Sequence, residues 1–417
     1  MLNIFFNEWL GYFRNKLFLF LGIFFLFFLC LVTFLGIYQN DKQLEAQKFA
    51  HEHIRLQWDQ MEASNPHSAA HYGSYAFKSP SVLNSIDEGI NSVTGNVLRI
   101  EGHKQNDIAF SEASQSLLIS KFGKLKPSLI FQFLIPLLLI FFSFNTYVSE
   151  RKNGRLKLLL VQGASLRKIV FSKSFSIWVV GLLLLFVSIV VQVIFNTNNF
   201  DSDTILRLLI LFFSYSLYYL ILINLTIMLS VVFKSSTASL SLTILIWVIW
   251  TIFFPTIIGN TSEKLTPLPT RIEFKEAMSE DRSKGIDGHN PRGERRDELE
   301  KATLKKYNVE RLTDLPINFS GILMQEDEEY GNMVWDKHFG NNYFILKKQK
   351  RLYQFSGLFN PFSSLQNLSM GLCGNDMVHH LDFLSSHCYP KNCLETWFCG
   401  KGRQLEFMSP ARRILAM

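Results

Sequence analysis

Five uncharged apolar runs occupy much of the first 260 residues, each long enough to cross a bilayer. A hydrocarbon core of about 30 Å needs about 20 residues of helix. Leu17–Tyr38, Ser128–Tyr147, Phe175–Phe195, Leu208–Val232 and Ser239–Ile258 all reach that length, and none contains Asp, Glu, Lys or Arg. In lipid every backbone amide must find its partner inside the protein, so spanning segments are helices or closed barrels. Runs this long and continuous read as helices. The expected fold is an all-α membrane protein with five transmembrane helices and two extracytoplasmic regions, mainly helical, either α or α+β.

A net charge of +7 is one that nucleic acid would attract, but the basic residues cluster beside the apolar runs. That clustering is the positive-inside bias of membrane proteins, so no nucleic-acid partner is expected; membrane lipid is. Leu17–Tyr38 is too long for the apolar region of a signal peptide, and Gln39-Asn40-Asp41 offers no small-residue cleavage pattern. It reads as a retained first helix. Before it, Asn3–Lys16 mixes Trp9, Leu10 and Phe13 with Glu8, Arg14 and Lys16, as a short helix lying on the membrane surface does.

Charge also orients the chain. Ser149–Ser174 holds seven Lys or Arg against one acid, Glu150, and short loops this basic stay cytoplasmic. The N-terminus and the turn at Lys234 then lie on the same side. Gln39–Pro127 carries nine basic and ten acidic residues, shows no such bias, and is expected outside. The expected division is 1–38, an interfacial helix and the first span; 39–127, an extracytoplasmic domain; 128–258, four spans with a cytoplasmic loop at 149–174; 259–385, a second extracytoplasmic domain; and 386–417, an atypical tail. The expected location is a bacterial inner membrane, crossed several times.

In the first external region, Gln39–Ala63 has few breakers and suggests a helix continuing out of the membrane. His51, His53, His67, His71 and His103 make half of the chain's histidines. Imidazoles bind copper or zinc, yet only His67 and His71 have an i,i+4 spacing, and Pro66 and Gly73 oppose one helix holding both. Surface histidines are the better reading. In the second region, Gly285-Ile286-Asp287-Gly288-His289-Asn290-Pro291 reads as a loop, Glu294–Arg311 as a solvated helix, Leu315-Pro316-Ile317-Asn318-Phe319 as a break, and Met324 to about Tyr353 as a further helix. Cys373, Cys388, Cys393 and Cys399 lack a CxxC pair, so no metal is expected there either.

With those segments in place, the chain resembles an ABC transporter permease of the type-2 exporter class. More narrowly, it resembles the branch with a large extracytoplasmic domain of unknown function, related to the gliding-motility and nitrous-oxide-reductase maturation permeases. Four stretches carry the likeness: Asn65-Pro66-His67-Ser68-Ala69-Ala70-His71-Tyr72-Gly73, Glu101-Gly102-His103-Lys104-Gln105-Asn106, the Gly285–Pro291 loop and Leu315–Phe319. The resemblance implies a path-forming subunit, not an enzyme. It implies pairing as a homodimer or with a related permease, and a separate cytoplasmic ATPase that binds the ATP, so this chain needs no cofactor of its own. No GxxxxGK[ST] phosphate loop occurs in the sequence. In such permeases the loop after the second span forms a coupling helix that sits on the ATPase, and Glu150, Arg151, Gly154, Leu156, Leu158, Leu159 and Gly163 match that pattern. Leu156, Leu159 and Leu160 suit an apolar groove, with Arg151, Lys152 and Arg155 pairing acidic groups. An alternative function is mechanotransmission or assembly, driving the external domains against a periplasmic protein partner without moving a solute.

Polar groups inside spans are expensive in lipid and face a helix contact or a path. Gln132, Asn145, Gln192 and Asn224 are the candidates. Permeases of this class usually have a sixth span. Ser386–Met417 has no apolar run near 20 residues, and it is expected to be an out-of-frame or truncated end.

Overall fold

In the computed structural model, placement is described for residues 2–62, 72, 74–101, 104–105, 111, 124–196 and 200–388. His67, His71, His103, Cys393 and Cys399 lie outside the described residues, as does the tail from 389 onward.

Each of the five apolar runs is a long helix. α1 (Leu2–Arg14) is a separate amphipathic helix. It stops at Asn15, whose side chain accepts the Leu17 N–H at 3.1 Å and starts α2 (Lys16–Asp59). At 44 residues, α2 is about 66 Å long, twice what a bilayer needs, so the helix continues unbroken past its apolar run into the 39–127 region. That region adds β1 (Ser74–Phe77), a short α3 (Asn91–Thr94), β2 (Val97–Glu101) and β3 (Lys104–Gln105). The strands are antiparallel in the order β1-β2-β3, with Phe77 opposite Val97 and Ile100 opposite Gln105.

The remaining spans are α4 (Pro127–Lys152), α6 (Leu166–Phe195), α7 (Ser202–Val232) and α8 (Ser236–Leu265), with α5 (Arg155–Val161) between α4 and α6. α4 is the most enclosed span, and α2 and α8 are the least. The core between them includes Leu29, Ile130, Leu139, Ile177, Tyr219 and Ile223. Where α4, α6 and α7 meet, a Cβ on Gly181 would lie 3.0 Å from Tyr219 and 3.2 Å from Leu139. Small residues at span contacts allow this close approach. Phe20, Phe24 and Phe27 of α2 and Leu245, Ile252 and Ile257 of α8 stay exposed, as suits helices bathed in lipid.

Two spans share one irregularity. α4 widens to a π-turn over Ile130–Leu134, where the Ile135 N–H bonds the Ile130 carbonyl. The Phe131 carbonyl then has no helical donor, because Ile135 is taken and Pro136 has no N–H. The Tyr219 hydroxyl donates to it instead, at 3.0 Å. α8 repeats the arrangement over Ile249–Phe253: Phe254 N–H bonds Ile249, Pro255 has none to give, and the Trp250 carbonyl is met by Asn360 Nδ2 at 2.7 Å. A proline inside a span thus creates an orphan carbonyl, and a side chain from another segment satisfies it.

Beyond α8 come α9 (Arg271–Lys284), α10 (Arg292–Tyr307), α11 (Phe319–Ser356), α12 (Pro361–Leu372) and α13 (Met377–Cys388). Thr270 and Glu273 form a capping box at the start of α9. α10 ends at Asn308, whose φ of 53° closes it three residues before the expected Arg311. The Asn318 side chain caps α11 five residues before the expected Met324. The Gly285–Pro291 stretch is a tight turn seated on α11. Ile286 N–H donates to Tyr330 Oη at 2.5 Å, and the buried Arg295 guanidinium stacks 3.4 Å over the Tyr330 ring while bonding Glu326 and the Asn290 carbonyl. Gly285 has φ 94°, and a Cβ there would strike the His289 carbonyl; only glycine fits.

Candidate coupling site and polar contacts

α5 is isolated by two glycines, Gly154 (φ 71°) and Gly163 (φ 86°), both in the left-handed region that ends helices. Between them the helix has two faces. Leu156, 8% exposed, packs with Tyr147 and Ile169, and Leu159, Ile4 and Val231 complete that cluster. One α1 residue and the ends of α4, α6 and α7 therefore hold the inner face. The outer face presents Leu158 at 63% and Val161 at 87% exposure, with Leu160 also exposed. Positions 158 and 161 are one turn apart and stand on the same side. Arg155 and Lys157 of α5, with Lys152, Arg167 and Lys168 just before and after it in sequence, are all exposed.

The two charged residues at the head of the segment turn inward. Glu150 pairs with Lys173 of α6 at 3.3 Å, and Lys173, buried, also bonds Glu8 of α1. Arg151 donates to the Phe233 carbonyl at 2.5 Å and lies over the Tyr147 ring. Of the seven residues in the family-like pattern, Leu158 is therefore the exposed apolar one. Glu150, Arg151 and Leu156 bind within the chain, Leu159 is half-buried, and Gly154 and Gly163 set the turns. Val161 was missed by sequence reading, and its spacing from Leu158 is the signal that would have found it.

The four in-span polar candidates all sit at contacts. Gln132 donates to Tyr215 Oη at 3.0 Å. Asn145 accepts from Ser236 at 2.6 Å, tying α4 to α8. Asn224 accepts from Ser174 at 3.1 Å and donates to the Leu220 carbonyl. Gln192 accepts the Ser85 hydroxyl at 2.9 Å. Gln132 and Gln192 lead to a larger network at the bundle end opposite α5, where residues 82–91 pack between the spans and α12. Asp87, buried, accepts from Ser369 at 2.5 Å and from the Gly89 N–H at 3.0 Å, and Ser369 in turn bonds Tyr215 at 3.0 Å. Asn375 donates to Asn84 at 2.9 Å and to the Asp87 carbonyl, and Asn84 donates to Asn40 of α2 at 2.9 Å. Burial pushes the Asp87 carboxyl above its ordinary range, against the opposing pull of its Ser369 and Gly89 bonds. Ser369 and Asn375 lie more than 280 positions from Asp87 in sequence, so no local pattern marks those partners.

A bundle of five spanning helices, with a short solvent-facing helix at one end and structured regions at the other, defines a multi-pass α-helical membrane protein. Residues 2–379 match the family described as ABC-2 family transporter protein, and the chain belongs to that family. It is a membrane permease subunit of an ABC system, a family whose members are non-catalytic membrane subunits that work with an ABC ATPase. Searches of curated proteins and of solved structures returned no match.

Proposed function

We propose that this chain is the membrane subunit of an ATP-driven exporter, coupled to a separate ATPase subunit through α5. The observation that carries this reading is the outer face of α5: two exposed apolar residues, Leu158 and Val161, flanked in sequence by exposed basic residues and fixed in place by the buried inner face. Such a knob suits an apolar groove with an acidic rim. The triad Glu8–Lys173–Glu150 joins α5's support to α1 and α6, so a push on α5 is delivered to two other helices rather than absorbed. ATP binds the partner; this chain supplies the path. Two copies, or this chain and a related one, pair through the exposed faces of α2 and α8. The basic end, with the N-terminus, faces the cytoplasm of a bacterial inner membrane.

The test is co-purification with the ATPase. Leu158→Asp with Val161→Asp should abolish it while leaving membrane insertion and thermal stability nearly unchanged, because both side chains are largely exposed. Retention of the ATPase would remove the assignment.

A specific feature also favours mechanotransmission. α2 and α8 leave the membrane without a break, and α11 is 38 residues long, so rigid rods connect the spans to the external regions. In that reading a periplasmic protein, not a solute, receives the movement. ATP hydrolysis in proteoliposomes separates the two: a small solute stimulates an exporter, whereas a force transmitter responds to its protein partner.

A further inference from the structure

Just past β1 stands a cation without a counter-charge. Lys78 is half-buried, and its Nζ bonds the Asn91 side-chain oxygen at 2.7 Å. Among the described residues no carboxylate pairs with it. A charge withdrawn from water and left uncompensated is costly, and burial pushes the Lys78 ammonium down to about 8. It stays mostly charged at neutral pH. The acid at the head of α13 is already committed: Asp376 takes Lys350 together with the N–H and Nδ1 of His379.

Strand register places further polar groups beside Lys78. Its N–H bonds the Asn96 carbonyl at 2.8 Å, which extends the β1–β2 pairing by one step and sets the two side chains opposite each other on one face. Ala76 and Leu98, two positions further along the ladder, share that face, and Phe383 of α13 packs on them. α13 therefore covers the Lys78 face. Asn91, which holds Lys78, also donates to Asn375 at 2.7 Å, so the N-terminal end of α13 is the end near Lys78. His380 lies one turn before Phe383 on the same side of the helix and is 6% exposed.

Two buried atoms here are unmet. His380 Nδ1 and the Asn96 side-chain oxygen have no partner among the described residues, and unsatisfied buried polar atoms are rare and costly. Burial, with Lys78 second, pushes the His380 imidazole down to about 4, so the ring is neutral and keeps one N–H to donate. Burial and then Lys78, Arg207 and Lys350 hold His379 below its ordinary value, so three cations act on this one place. Arg207 directly precedes the apolar run that opens at Leu208. That puts the cluster at the edge of the hydrocarbon core, where lipid headgroups lie.

We propose that Lys78, Asn96 and His380 form a site for a phosphate oxyanion, carried by a lipid headgroup or free in solution. The oxyanion supplies the charge that Lys78 lacks and accepts the His380 N–H. The Asn96 amide, turned about its last bond, offers its NH2 in place of its oxygen. Groups on two strands and a helix approach from different directions, which suits a tetrahedral ligand better than a planar carboxylate. This inference does not rest on how α5 is driven.

The experiment uses the full chain in detergent, with chloride matching the ionic strength throughout. The thermal midpoint is titrated with inorganic phosphate and, separately, with dihexanoyl phosphatidylglycerol below its micellar concentration. A ligand of the folded state raises the midpoint as its concentration rises. Lys78→Met should move that response to concentrations about tenfold higher or more, the loss of one charge-assisted bond. His380→Phe, which keeps the ring, should weaken it as well, whereas Lys284→Met, at an exposed pair with Glu280, should not. Without ligand, Lys78→Met should be as stable as the parent or more so, because it removes an unpaired charge. A response to phosphate alone supports a free-anion site, and a response to the lipid alone supports a headgroup site. No response to either probe, or an undiminished response in Lys78→Met and His380→Phe, would overturn the proposal. A destabilised Lys78→Met that still responds in full would reduce Lys78 to a support for Asn91 and overturn it equally.

Discussion

Lys173 Nζ lies 3.3 Å from Glu150 Oε1 and also bonds Glu8, so one buried cation of α6 ties together the end of α4 and the N-terminal helix α1. Two carboxylates share it in a site with little access to water. Removing one partner of a buried ion pair strands the other, at about 3–5 kcal/mol. Lys173→Met should therefore destabilise the purified permease by about that amount, seen as a lowered thermal midpoint. The triple variant with Glu8→Gln and Glu150→Gln should recover most of the loss. A Lys173→Met protein as stable as the parent would mean that the triad does not hold α1 to the bundle.

The proline-bulged spans predict a specific non-additivity. Tyr219→Phe leaves the Phe131 carbonyl without a donor in the core, at about 1–3 kcal/mol. Pro136→Ala restores an N–H to that stretch of α4, so the Tyr219 hydroxyl is no longer required. The double variant should lose less stability than the sum of the two singles. Strict additivity would show that the hydroxyl serves the carbonyl in no essential way.

Asp87 sets a pH dependence. Its carboxyl is raised by burial, so the folded state holds the proton more tightly than the unfolded chain does. Stability from the network is then fully present below the ordinary carboxylate range of about 4 and declines as pH rises toward the raised value. Asp87→Asn, neutral at every pH, should flatten that part of a thermal-midpoint profile. A profile that slopes the other way, or one unchanged in Asp87→Asn, would contradict the assignment.

Much of this architecture was legible in the sequence because lipid imposes simple rules. Length without charge was enough for Leu208–Val232 and for the other four spans, and Asn3–Lys16 declared itself by mixing aromatics with charge. Helix starts were harder. Phe319 opens α11 well before Met324, since Asn318 supplies the cap and the break at Pro316 was read as extending further. The short helix between Gly154 and Gly163 could be read from the sequence, but which of its faces is exposed could not. Leu156 and Leu159 were expected to dock outward, and the contacts with Tyr147 and Ile169 turn Leu156 inward. Which face of a seven-residue helix is buried depends on Ile4 and Val231, and nothing near α5 reveals them. The Asp87–Ser369 and Asn360–Trp250 pairs are invisible for the same reason: each joins segments more than 100 residues apart.

Orientation has its own check. Ser283→Cys and Val93→Cys both occupy exposed sites in the regions proposed to lie outside, whereas Ser85 is buried against Gln192 and is no labelling site. Both cysteines should react with an impermeant maleimide from the outer face of intact cells. Reaction only after the membrane is breached would reverse the proposed topology, and α5 would then face away from any cytoplasmic ATPase.

Photo-crosslinking from α5 tests the coupling assignment most directly. A benzophenone amino acid placed at Leu158, or at Val161, in the full complex should capture the ATPase subunit. The same group at Ala164, a half-buried residue of the inner cluster, should not. Capture from 158 and 161 alone, strengthened or lost as nucleotide is added, is the predicted result. No capture from either position, or equal capture from 164, would contradict the account that this face of α5 receives the ATPase.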